Sequence, residues 1–149
     1  MKNIIFLFLI TVSCMNNKTI DFKLNSLPPT TYEFKSEGKN NRIDYWFSEG
    51  DFVYQKKEYI KLKAIVAEKA DSVTDLQGYT LYSMYIYKKT DILNANYDKG
   101  REGLDGHNQD LLAYIRFNKG KMDVFYILKD GNVIYDAVSG KAENFEFEQ

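Results

Sequence analysis

The stretch AYIRFNKGKMDVFYILKDGNVIYDA, residues 113–137, decides how this chain folds. Lys119-Gly120 and Asp130-Gly131 are dipeptides of the kind that close two-residue β-hairpin turns, where both central residues take positive φ. Two tight turns fix a register. Phe117 is then expected opposite Met122, Ile115 opposite Val124 and Ala113 opposite Tyr126. Across the second turn, Leu128 is expected opposite Val133, Tyr126 opposite Tyr135 and Val124 opposite Ala137. All of these fall on one apolar face of a three-stranded meander. The other face collects Tyr114, Arg116, Asp123, Phe125, Ile127, Ile134 and Asp136, with Arg116 opposite Asp123 and Tyr114 opposite Phe125. Cross-strand pairs of these kinds contribute roughly 0.2–1 kcal/mol each. A face mixing aromatics with charge is a candidate binding surface.

Upstream, residues 79–87 read YTLYSMYIY, a β-prone run. Tyr79, Leu81, Tyr85 and Tyr87 alternate with Tyr82, Met84 and Ile86, so both faces are apolar and a central strand covered on two sides is expected. From about residue 55 to 70 the composition turns to Lys, Glu, Ala, Leu and Ile. There Tyr59, Leu62, Val66, Ala70 and Val73 recur at spacings of three and four, one stripe of an amphipathic helix. The competing reading is a strand, because Ile60, Leu62, Ala64 and Val66 also alternate. Residues 32–35 and 43–47 form a strand pair around Gly38 and Asn40-Asn41, and Asn144–Glu148 alternates Phe145 and Phe147 with acids as a further edge strand. Residues 91–110 carry Gly100, Gly103 and Gly106 with little periodicity and are expected to form a long loop. The expected fold is α+β, an antiparallel β-meander with one helix packed on one face. This order of elements is similar to cystatin or nuclear-transport-factor-2-like architectures. With residues 55–70 as a strand, the alternative is an all-β meander or small barrel.

The whole chain has 149 residues, a formal net charge of -1 and 44% hydrophobic residues. That length suits one domain. The balanced charge lacks the basic footprint of a nucleic-acid binder, so no nucleic-acid partner is expected. A single cysteine, Cys14, excludes an internal disulfide and a Cys-rich zinc site.

Residues 1–14 carry Lys2, an apolar run from Ile4 to Val12, then Ser13-Cys14. This is the pattern of a secretory signal, and its apolar run is about half the ~20 residues of a membrane-spanning helix. Thr11-Val12-Ser13-Cys14 resembles the lipobox of bacterial lipoproteins, with Thr11 departing from the usual Leu. The resemblance implies cleavage before Cys14, acylation of that cysteine and anchoring to a membrane of the cell envelope. Several acyl chains anchor stably together. Met15 follows Cys14 where inner-membrane retention would place Asp, which favours the outer membrane by the same resemblance. The expected organisation is a signal peptide at 1–13, a lipid-anchored tether at 14–31 that includes Pro28-Pro29, and a globular domain at 32–149.

Chemistry is sparsely signalled. The loop near His107, the sole histidine, also holds Asp105, Asn108 and Asp110, which is a weak candidate for a histidine base oriented by a carboxylate. No serine or cysteine nucleophile accompanies it in a recognisable context. The spacing does not match a calcium loop, a zinc site or a phosphate-binding glycine motif, so no metal or cofactor is expected. Asp123 and Asp136 could pair as glycosidase carboxylates, but Arg116 opposite Asp123 reads as an ordinary ion pair. The reading that results is a non-catalytic, lipid-anchored protein-binding module, an immunity or inhibitor protein being one form. A carrier of a small apolar ligand or glycan, and a hydrolase using the His107 loop, are the alternatives. Replacing Cys14 by Ser is expected to stop metabolic incorporation of palmitate and move the protein from the membrane pellet to the soluble fraction; unchanged pelleting and labelling would remove the lipoprotein reading.

Overall fold

The computed structural model describes residues 22–142, so the signal-like segment with Cys14 and the expected edge strand at Phe145 and Phe147 lie outside the described residues. Seven strands form one sheet whose spatial order follows the chain. They are β1 (Lys23–Ser36), β2 (Lys39–Glu49), β3 (Leu81–Lys88), β4 (Leu111–Asn118), β5 (Lys121–Lys129), β6 (Asn132–Asp136) and β7 (Lys141–Ala142). A single α-helix, α1 (Lys56–Asp71), connects β2 to β3 and makes that pair parallel; every other pair is antiparallel. The α+β expectation holds, while the sheet is a meander interrupted by one parallel crossover. The all-β alternative falls with the presence of α1.

Three hairpins turn on a non-glycine residue followed by glycine, both at positive φ: Glu37-Gly38 at 51° and 75°, Lys119-Gly120 at 48° and 77°, and Asp130-Gly131 at 51° and 80°. Paired positive φ values are what a type I′ turn requires, and its twist suits the strands it joins. The turns at Lys119-Gly120 and Asp130-Gly131 therefore fall where the sequence placed them, whereas Glu37-Gly38 is tighter than the loop expected there, with Asn40 and Asn41 paired inside β2. The helix also falls where expected, with Tyr59, Leu62, Val66 and Ala70 buried along one stripe. They rest on Tyr82, Met84 and Ile86 of β3 and on Ala113, Ile115 and Phe117 of β4.

The register beyond the turns differs from the two-residue-turn expectation. Phe117 pairs with Met122, but Arg116 then pairs with Val124, so Asp123 is an extra residue bulged from β5. A one-residue bulge reverses which face every later side chain takes. Phe125 now lies opposite Ile115, Tyr126 opposite Tyr114 and Ile127 opposite Ala113. A second bulge follows the next turn: Leu128 pairs with Val133, but Ile127 pairs with Tyr135 and Tyr126 with Asp136. The physical gain is clear from burial. Phe125 and Ile127, wholly apolar, are each 0% exposed beneath the helix, whereas Tyr126 lies half-buried on the opposite face.

Two further differences concern segments expected to be irregular. The stretch expected as tether enters the sheet at Lys23, and Leu24 and Leu27 are buried. Between the pairs Ser26–Trp46 and Thr31–Asp44, residues 27–30 stand opposite Tyr45 alone. Prolines at 28 and 29 cannot donate to a ladder, so this irregularity accommodates them on an edge strand. Residues 91–110 are not a bare loop. Leu93, Tyr97 and Leu104 are buried against Leu27, Tyr45, Phe47, Tyr87, Leu111 and Leu128 on the sheet face opposite α1. Within this cover, Arg101–Asp110 forms two short 3₁₀ pieces that meet at a kink at His107, whose φ of -111° and ψ of 25° are not helical. The face of β3 opposite α1 is thereby covered at its Tyr87 end, while Tyr85 stays half-buried.

Leu62 is 0% exposed and Ile60, on the same helix, 63%. Truncating Leu62 to Ala should cost about 2–5 kcal/mol through the cavity it leaves. Ile60→Ala should stay within about 0.5 kcal/mol. Urea unfolding of the two variants checks this, and similar losses would contradict the docking of this helix face.

Candidate functional site

On the face opposite α1, a row of tyrosines crosses the sheet in register. Tyr45 of β2 lies beside Tyr85 of β3, Tyr85 beside Tyr114 of β4, and Tyr114 beside Tyr126 of β5. Ring centroids are 5.6 Å apart for Tyr45–Tyr85 and 4.9 Å for Tyr85–Tyr114, within the range for favourable aromatic pairs. The row marks the limit of the cover. Tyr45 is buried beside Leu93, Tyr97 and Leu104, whereas Tyr85, Tyr114 and Tyr126 are half-buried. The neighbouring row is Ile43, Ser83, Arg116 and Val124. Arg116 holds Asp123 through two bonds of 3.0 Å, Nε to Oδ1 and Nη2 to Oδ2. The bulge that displaces Asp123 from the ladder thus keeps it within reach of Arg116 although Val124 is the ladder partner.

The residues proposed from sequence as one binding face divide accordingly. Tyr114, Arg116 and Asp123 stand together on the half-open face. Phe125 and Ile127 do not, and Ile134, 5% exposed, is also in the core under α1. Bulging moved all three across the sheet. Their places on the open face are taken by Val124 and Tyr126, which a bulge-free register puts on the other side, and Tyr85 of β3 continues the row. Asp136 pairs with Tyr126 at the margin, but its carboxylate is engaged in the turn that follows. It accepts from the backbone N–H of Val138 at 2.9 Å and from the Ser139 hydroxyl at 2.7 Å.

At the kink between the two 3₁₀ pieces, His107 Nδ1 lies 3.0 Å from Asp110 Oδ2, while Asp105 and Asn108 are exposed. A histidine oriented by a carboxylate is half of a catalytic arrangement; no nucleophile completes it among the described residues. Nor does any group of three or more His, Cys, Asp or Glu side chains there gather as metal ligands.

A polar cluster went unnoticed in the sequence. Asp44 is 3% exposed and accepts four hydrogen bonds: Arg42 Nε at 3.0 Å, Arg42 Nη2 at 3.1 Å, Thr31 Oγ1 at 2.9 Å and Tyr82 OH at 2.8 Å. Burial, then the facing Asp44 carboxylate, pushes the Tyr82 hydroxyl well above its ordinary value. An Arg-x-Asp pair on a strand is unremarkable by itself; only the parallel placement of β3 brings Tyr82 to it.

Tyr85 in the tyrosine row is pushed up to about 12, first by burial and then by the neighbouring Tyr114 and Tyr45 hydroxyls. A folded-state value above the unfolded ~10 favours the neutral form in the fold. The associated stability is complete below pH 10 and is lost as pH rises through about 12. Stability measured by urea should therefore fall between those limits, and Tyr85→Phe should reduce the fall. A flat profile over that window would contradict the packing of the row.

No family model, curated protein or solved structure matches this chain.

Proposed function

We propose that this chain is a lipid-anchored cell-envelope lipoprotein that works as a non-catalytic protein-binding module. Cys14 serves as its acylation point, with the outer membrane as the favoured location and the domain facing the periplasm or exterior. The observation that carries the binding role is the half-buried tyrosine row Tyr85, Tyr114 and Tyr126, flanked by Arg116. Tyrosine and arginine are enriched where proteins meet, because each joins a broad contact surface to hydrogen-bonding groups. A half-open sheet face of this kind suits the surface of a folded protein, and neutralising a toxin in the periplasm is one concrete form of such a role.

Ligand carriage between helix and sheet has less support. Leu62, Val66, Met84 and Ile115, which meet there, are fully buried. Hydrolysis at His107 lacks a partner nucleophile among the described residues.

A photo-crosslinking side chain installed at Tyr126 should yield a discrete covalent adduct in intact cells, reduced when Tyr114 and Arg116 are replaced by Ala. The same group at Lys57, exposed on α1, should not. Absence of an adduct at Tyr126, or equal labelling from both positions, would overturn the assignment of this face.

A further inference from the structure

On the helix side of the sheet, the C-terminal end of α1 and the turn after it face β1 and β2 across a cleft of about 280 Å³. Its walls include Arg42, Asp44 and Trp46 of β2, Lys69 of α1, Thr31 of β1 and Thr74. A water occupies about 30 Å³ of liquid, so the space suits a small molecule or one long side chain.

The chemistry of this cleft is one-sided. Asp44 is its carboxylate, and four donors already engage its two oxygens. Its charge is matched by Arg42, which makes two of those bonds. Lys69 is different. Its ammonium stands 5.1 Å from the centroid of the Trp46 ring, and no carboxylate lies within ion-pair distance of it among the described residues. Trp46 Nε1 is buried without a hydrogen-bond acceptor. The cleft thus presents one ammonium without a carboxylate partner, while its own carboxylate is fully engaged.

We propose that this cleft binds a carboxylate-bearing ligand, its negative charge held by Lys69 beside Arg42 and its body against Trp46. An acidic sugar and a glutamate-type side chain share this chemistry. The site lies across the sheet from the tyrosine row and does not depend on that surface binding a protein.

Trp46 is the one tryptophan of the chain, so its fluorescence and its single indole N–H resonance report on this cleft alone. The probes are sodium galacturonate and N-acetylglutamate, set against neutral galactose and N-acetylglutamine at constant ionic strength. Saturable changes are expected with a carboxylate probe and not with its neutral counterpart; which acid binds more tightly tells sugar from side chain. Loss of a charge-assisted bond in Lys69→Met should weaken binding at least about tenfold, and Lys69→Arg should restore much of it. Circular dichroism and urea midpoints of the variants separate lost binding from lost folding. No saturable change with either acid, equal responses to acid and neutral probes, or undiminished binding by a folded Lys69→Met protein would overturn the proposal.

Discussion

The joint between β2 and β3 holds the two halves of this sheet together. It is the one parallel pair, and a parallel pair needs a crossover, here supplied by α1. At its centre Asp44 is withdrawn from water and bonded by Arg42, Thr31 and Tyr82, that is, from β1, β2 and β3 at once. A buried carboxylate is tolerated only when paired and fully hydrogen-bonded, so these three strands have one relative position that satisfies it. The apolar stripe of α1 then lies over Tyr82, Met84 and Ile86 on the same face. Packing alone would allow some sliding; the polar cluster opposes it.

The two faces of the sheet consequently differ in kind. Beneath the middle of α1, Leu62, Val66, Met84 and Ile115 are fully buried. On the opposite face, residues 91–110 cover one end through Leu93, Tyr97 and Leu104, and the tyrosine row begins where that cover stops. Tyrosine is suited to this margin because its ring can pack while its hydroxyl reaches water. The half-open face is thus a product of how far one connecting segment extends.

Much of this was legible locally. Asp130-Gly131 and Lys119-Gly120 turn as their residue types require, the 3.6-residue stripe of α1 buries the side chains it marks, and the two-sided pattern of β3 places it inside the sheet. The candidate face was only half legible. Tyr114, Arg116 and Asp123 were found together, but Phe125, Ile127 and Ile134 were assigned to the wrong side. Strand alternation has a period of two, so one bulged residue inverts every assignment beyond it, and nothing within six or eight residues reveals the bulge.

By itself, then, the sequence determined α1, the strands from β3 to β6 and the turns at Lys119-Gly120 and Asp130-Gly131, because these rest on interactions between residues a few positions apart. Tertiary structure alone decided the bulges at Asp123 and Ile134, the cover made by residues 91–110 and the Asp44 cluster. The physical reason is that each is settled by competition for burial among distant segments. Phe125 and Ile127 displace Tyr126 from beneath a helix more than fifty residues earlier in the chain, and a carboxylate on β2 finds its last donor on β3.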